Sequence, residues 1–154
     1  MSNLICNGWN IFFYPLFNTQ WIELVDRVKV LKQNLVAESF ATHSDVKLLK
    51  ALDLAIKEKI PQDPFASYFS LKKPLQKYSR VKKMGLPERY RLFFRAFREE
   101  KIIIILWLGF PRKEGDKKDC YTVFTKKVNN SDFPTTLDEL LVECETETLE
   151  QDNL

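Results

Sequence analysis

Arg89-Tyr90-Arg91-Leu92-Phe93-Phe94-Arg95, followed after a short polar turn by the unbroken apolar run Ile102 to Leu108, is the stretch that decides the fold. The first part alternates with a period of two. It sends Arg89, Arg91, Phe93 and Arg95 to one side of a strand and Tyr90, Leu92 and Phe94 to the other. The second part has no polar position, as expected of a central strand buried on both faces. Tyr78 to Lys82 also alternates, with Arg80 and Lys82 together and Val81 opposite. Residues 120–126 complete a set of four predicted strands: 78–82, 89–96, 101–108 and 120–126. If the first two pair antiparallel across Gly85-Leu86-Pro87-Glu88, at least five cations share one sheet face. Facing like charges each cost from a few tenths to about 1 kcal/mol, so without an anion this arrangement is unfavourable.

Upstream, residues 8–14 are aromatic and closed by Pro15, which predicts a short first strand. Phe17, Trp21, Leu24, Val25, Val28, Leu31 and Leu35 then recur at helical spacing. A second helix is predicted from Ser44 to Ile60 and is stopped by Pro61. Downstream, Thr136 and Glu139 form a capping box for a last helix that turns Leu137, Leu140, Leu141 and Cys144 inward. The expected order is β-α-α-β-β-β-β-α, an α+β fold. The length of 154 residues fits one domain, and a 45% hydrophobic content supplies a substantial core.

The net charge of +3 hides an asymmetry, because every Lys and Arg precedes residue 128 and seven of the 21 acids lie between Asp138 and Asp152. Residues 1–137 therefore carry 24 cations against 14 acids, a net +10. Such a basic body favours a polyanionic partner, although the same charge also serves as solvated surface. The basic strands accordingly read either as the wet face of a half-exposed sheet or as a groove for phosphates, which the planar Arg fork matches. Arg112, Lys113, Lys117 and Lys118 form a second basic group, in a loop that by itself reads as a hairpin turn.

Three cysteines without paired spacing suggest neither zinc nor a disulfide framework, and a reduced compartment, the cytoplasm, is expected. Leu4 to Phe17 lacks a basic leader and is interrupted by Asn7, Gly8 and Pro15, so it does not read as a signal peptide; no membrane span is expected. His43 is the one histidine and reads as a surface or capping residue, and Cys120 as a buried strand residue. No glycine-rich phosphate loop and no carboxylate cluster with metal spacing occurs, so neither metal nor cofactor is expected. An enzyme built from these residues works with Arg, Lys and Tyr.

These residues carry a family resemblance over nearly the whole chain. Asn7-Gly8-Trp9, Pro15 and Phe17 resemble the opening of YhaV-type toxins, which belong to the RelE-like ribonucleases. Lys47-Leu48-Leu49 and Ile60-Pro61-Gln62-Asp63-Pro64 resemble the family's second helix and its exit. Ser79-Arg80-Val81-Lys82 with Arg89 to Arg95 resembles the central signature, and Arg112, Gly115, Lys117, Asp119, Tyr121 and Phe124 fall at the spacing of the C-terminal pattern. The match fades after about Glu145, so a toxin domain over 1–145 and an acidic tail over 146–154 are expected. Tyr14 stands where relatives often have His, and Cys120 where they have Ala.

The resemblance implies a RelE-like fold, with N-terminal helices on one face of an antiparallel sheet and a C-terminal helix. It also implies a toxin of a type II toxin–antitoxin pair that cleaves messenger RNA, free or on the ribosome, and is held by a PrlF-type antitoxin. On that reading Arg80, Lys82, Arg91, Arg112 and Tyr121 are the catalytic candidates, and Arg89, Arg95, Lys117 and Lys118 bind RNA. Arg91 would stabilise transition-state charge. Crowded cations favour the neutral, proton-accepting form of a lysine in general, which nominates Lys82 as the base; Tyr121 would stack on a base or donate a proton. The alternative is a non-catalytic RNA- or ribosome-binding module on the same scaffold.

Overall fold

The computed structural model describes residues 4–110 and 120–152, with side chains through Cys144. Asn7 and Gly8, both at positive φ, turn β1 (Leu4–Cys6) back onto β2 (Trp9–Phe13). Asn-Gly is the usual pair for a two-residue hairpin, because both residues accept positive φ and the resulting turn matches the right-handed twist of the strands. Pro15 then starts α1 (Pro15–Asn34), where its fixed φ and missing N–H are harmless. After α2 (Ala37–Thr42), His43 caps α3 (Ser44–Leu54), its Nδ1 accepting from the Asp45 N–H at 3.1 Å, as the capping reading expects.

The predicted helix over 44–60 continues past Leu54 but changes winding. Residues Ala55–Lys59 form a π turn in which the Ile60 N–H reaches back to the Ala55 carbonyl. A last turn, α4 (Ile60–Gln62), contains Pro61, which has no N–H to offer a regular helix.

β3 (Ser79–Val81), β4 (Arg91–Phe97) and β5 (Ile102–Gly109) complete a five-stranded sheet in the order β1-β2-β5-β4-β3. Ile103 to Gly109 are all buried, so β5 is the central strand its composition predicts. The sheet is mixed rather than wholly antiparallel, since β2 runs parallel to β5, Asn10 beside Ile102. A bulge interrupts β4–β5: Phe93 faces Trp107 but Phe94 faces Ile105, which leaves Leu106 extra. Leu106 and Trp107 therefore both enter the same layer, and the alternation resumes with Leu108 on the other side.

One face carries Ile11, Val81, Leu92, Phe94, Ile103, Ile105 and Leu108 and is covered by the N-terminal helices through Phe17, Leu24, Leu52 and Ile56. The other face is covered too, which the sequence reading did not foresee. Residues 120–126 are not a strand but the start of α5 (Cys120–Asn129), followed by α6 (Leu137–Asp152). Cys120 and Phe124, one turn apart, face the sheet. Phe124 stacks on Phe93 with centroids 4.1 Å apart and planes 8° from parallel, and Trp107 adjoins both rings, 5.6 Å from Phe93 and 6.3 Å from Phe124. Phe93, expected beside the solvent-facing arginines, is fully buried.

Half of the expected capping box forms at α6: the Glu139 N–H donates to the Thr136 hydroxyl at 3.3 Å, and that hydroxyl, rather than the Thr136 N–H, donates to the Glu139 carboxylate at 2.9 Å. The buried Tyr14 hydroxyl donates to the Glu143 carboxylate and so fastens α6 to the entrance of α1. The α+β class, the N-terminal helices on one face and the C-terminal helix all agree with the sequence reading and with a RelE-like fold. Among the described residues no helix is long and apolar enough to cross a membrane.

Candidate active site

Four pieces of chain meet at one end of the sheet: the exit of β3, the entry to β4, the exit of β5 and the first turn of α5. Gly109 makes the meeting close. A Cβ there would lie 2.8 Å from both Cβ and Sγ of Cys120 and 2.9 Å from the Trp107 ring, so α5 rests directly on β5. A glycine ending an apolar run signals this kind of backbone approach, and sequence reading passed over it. The Cys120 thiol donates to the Arg89 carbonyl at 3.3 Å, joining α5 to the turn before β4.

Arg89 belongs to that turn rather than to the predicted strand. Its φ is +72°, and the Tyr90 N–H closes the turn on the Pro87 carbonyl at 3.1 Å. The Arg89 and Lys82 side chains are exposed, as is Glu88, the acid within the same turn. Arg91 opens β4 opposite Gly109 and is half-buried. Its Nη1 donates to the Tyr90 carbonyl at 2.8 Å and to the Lys82 carbonyl at 3.4 Å, so the guanidinium bridges from β4 to the end of β3. Arg80 lies opposite Phe93, which places it on the same sheet face, half-buried and with its Nε shielded from solvent. Tyr121, the second residue of α5, packs half-buried against the aromatic layer.

Arg80, Lys82, Arg89, Arg91 and Tyr121 are thus brought to one region. Arg95 is not. It lies a turn of pleat further on, its Nη1 donating to the Thr135 carbonyl at 2.6 Å and its guanidinium 4.6 Å from the Phe97 ring and 5.7 Å from that of Tyr78. Burial lowers its pKa, opposed by Tyr78, and burial raises the pKa of the Tyr78 hydroxyl. Arg95 therefore serves as a tie between the sheet and the α5–α6 connection. Arg112, Lys117 and Lys118 lie outside the described residues; the flanking Phe110 and Cys120 are both at the Arg91 end.

What the arrangement can do follows from the state of Arg91. A half-buried cation has lost part of its hydration, and here neutral carbonyls replace it. Among the described residues it forms no ion pair with a carboxylate. Such a guanidinium retains its attraction for an anion and is already held in place, the condition under which a donor stabilises developing charge best. Also among the described residues, no group of three His, Cys, Asp or Glu is placed to hold a metal ion.

Comparison with known proteins accords with this chemistry. A family model described as a toxin with endonuclease activity, of a toxin–antitoxin system, matches residues 11–145. The chain is similar to the ribonuclease toxin YhaV of Escherichia coli K12, with 35% identity over 147 residues, 90% of this chain and 94% of the relative. It is equally similar to the toxin YhaV of Escherichia coli O6:H1, at 35% identity over the same shares of the two chains. No solved structure matches. With the family pattern spanning most of the sheet, both helical layers and the Arg91 region, this chain belongs to the YhaV family of toxins, the endonuclease partner in a toxin–antitoxin system.

Proposed function

We propose that the chain cuts messenger RNA at the sheet end around Arg91, and that the ribose 2′-hydroxyl is the nucleophile. The observation that carries this reading is the half-buried Arg91 guanidinium, pinned by the Tyr90 and Lys82 carbonyls and facing no described carboxylate. Naming of the Escherichia coli K12 relative as a ribonuclease supports RNA as the substrate. In the reaction the 2′-oxygen attacks the adjacent phosphorus as its proton passes to a base. The bond to the 5′-oxygen breaks and that oxygen takes up a proton, leaving a 2′,3′-cyclic phosphate and a 5′-hydroxyl.

Arg91 neutralises charge accumulating on the phosphoryl oxygens, a role whose removal costs about 100-fold to 1000-fold in rate. Lys82, on the strand exit that Arg91 grips, is the candidate base, and Arg80 adds positive potential from the same face. Tyr121 supplies a ring for a base or a proton for the leaving oxygen. Arg89 with Arg112, Lys117 and Lys118 holds flanking phosphates. An antitoxin of the PrlF type, covering this basic end, silences the enzyme in the cytoplasm, and the message is cut either free or on the ribosome.

Purified protein incubated with end-labelled RNA under excess chelator tests the reading. The expected products end in 2′,3′-cyclic phosphate, and one 2′-deoxy substitution at the cut position blocks cleavage there. Cutting that survives the deoxy substitution, or that needs a divalent ion, overturns this mechanism. Repeating the assay with and without ribosomes decides whether the message is cut free or during translation.

A further inference from the structure

Between Asp63 and Glu88 the chain contains no acid and six cations: Lys72, Lys73, Lys77, Arg80, Lys82 and Lys83. We propose that this segment is a phosphate track for single-stranded RNA outside the cleavage position, with Lys72, Lys73 and Lys77 as its far end and Lys82 and Lys83 as its near end. The inference rests on the RNA reading above and extends it, because the three distal lysines are not needed for cleavage chemistry.

The physical case begins with how the lysines are mounted. The backbones of Ser70 and Ser79 pair antiparallel, which closes 71–78 into a loop at the start of β3. Leu71, Leu75 and Tyr78 pin the loop into the layer containing Phe93 and Phe124. Two successive turns stiffen it, with the Leu75 N–H bonded to the Lys72 carbonyl and the Tyr78 N–H to the Leu75 carbonyl, both at 2.9 Å. Between these anchors Lys72, Lys73 and Lys77 are exposed. A cation on an anchored backbone loses less freedom when it meets a phosphate than one on a loose strand of chain.

Position supplies the second part. β3 is an edge of the sheet, with the loop at its start and Lys82 and Lys83, also exposed, just past its end. Lys82 is the residue whose carbonyl Arg91 grips. The cations thus run along one edge and end at the candidate active site. None of the five exposed lysines forms an ion pair with a described residue, whereas Lys57 and Arg27, on the helical side, are paired with Asp53 and Asp45. Lysines also keep an edge strand from pairing with other chains, and that is the competing explanation the test must separate.

The test is the salt dependence of binding to fluorescein-labelled 2′-O-methyl RNA, which lacks the nucleophile and is not cut. Probes of about 4 and about 16 nucleotides span the range of short and long single-strand sites. Each phosphate contact on a single strand contributes about 0.7 to the slope of log affinity against log salt, so Lys72→Ala/Lys73→Ala/Lys77→Ala should flatten the slope for the long probe by about 2. The corresponding triple Arg variant should retain it, and affinity for the short probe should change by less than about threefold. Lys29→Ala/Lys32→Ala/Lys50→Ala, on the exposed faces of α1 and α3, is the control and should leave the slope unchanged.

A long-probe slope within about 0.5 of wild type, or an equal effect of the control, overturns the track and assigns these lysines to edge protection. Failure of the wild type to bind the long probe at low salt overturns it as well. If the wild type binds with the expected slopes yet leaves unmodified RNA uncut, the cleavage reading fails and the track stands.

Discussion

Replacing Arg91 by Ala separates chemistry from folding most sharply, because the structure sets different magnitudes for the two. Arg91 is half-buried rather than fully exposed, so its removal is not free of structural cost. Two hydrogen bonds from a charged donor to the Tyr90 and Lys82 carbonyls are lost. Such bonds are worth about 1.5–3 kcal/mol each when buried. These lie at a sheet end where water reaches the vacated carbonyls, and the 3.4 Å bond is weak, so about 1–2 kcal/mol in all is the reasonable cost. For a chain of this size that lowers Tm by about 2–8 °C. Loss of the charge-stabilising donor raises the barrier by about 2.7–4 kcal/mol, a fall in rate of about 100-fold to 1000-fold. Thermal melting and single-turnover cleavage on one preparation measure both. Cleavage within about tenfold of wild type refutes the assignment of Arg91 to the transition state, and an unfolded variant refutes the separation of roles.

Phe93→Ala removes the ring that stacks on Phe124 and adjoins Trp107 and should cost about 3–5 kcal/mol in urea unfolding, with α5 loosened from the sheet. A mild loss near 1 kcal/mol would show that the stack contributes little. Gly109→Ala forces a methyl group to within 2.8 Å of Cys120 and should destabilise by about 1–3 kcal/mol, which denaturant titration reads directly. Unchanged stability would mean that α5 does not sit against β5. Burial and the bond to Glu143 raise the pKa of Tyr14, and burial raises that of Tyr78, so both favour the neutral phenol in the folded state. Their contribution is complete below the unfolded value of about 10 and is lost as pH rises above it. Melting curves from neutral to strongly alkaline pH should show that decline, and Tyr14→Phe should make it shallower; an identical profile in the variant excludes Tyr14 as a source.

Much of the fold was legible because its strongest signals are periodic. Helical spacing located α1 and α3, the unbroken run marked β5 as central, and Thr136 with Glu139 marked α6. The β1–β2 hairpin has a readable signal, Asn7-Gly8, which in the sequence stands out only as a break in an apolar run and as part of the family's opening motif. Residues 120–126 were misread because Thr122, Val123 and Thr125 favour strands locally. The repeat of Cys120 and Phe124 one helical turn apart prevails once Phe93 offers a ring to pack on. Parallel pairing of β2 with β5 leaves no local trace in either segment.

At the site, alternation grouped Arg80 with Arg91 correctly. It could not show that α5 would cover Phe93, or that Arg95 would be tied down at Thr135. The cationic row was therefore read as longer and more open than it is.

The parallel β2–β5 pairing also governs when this protein comes into being. Paired residues such as Asn10 and Ile102 are separated by 92 positions of chain. Chains grow at about 5–20 residues per second, so β2 waits about 5–20 s for its neighbour. During that interval α1 and α3 have no central strand to cover, and loop closure over so long a span slows folding further. Arg91 gains its counterpart Gly109 only when β5 is finished, and α5 follows later still. The candidate site around Arg91 is therefore assembled only after β5 and α5 have both been made. A growing chain short of that point lacks the candidate site, so an antitoxin that covers this end of the sheet would find its surface only once β5 and α5 are in place.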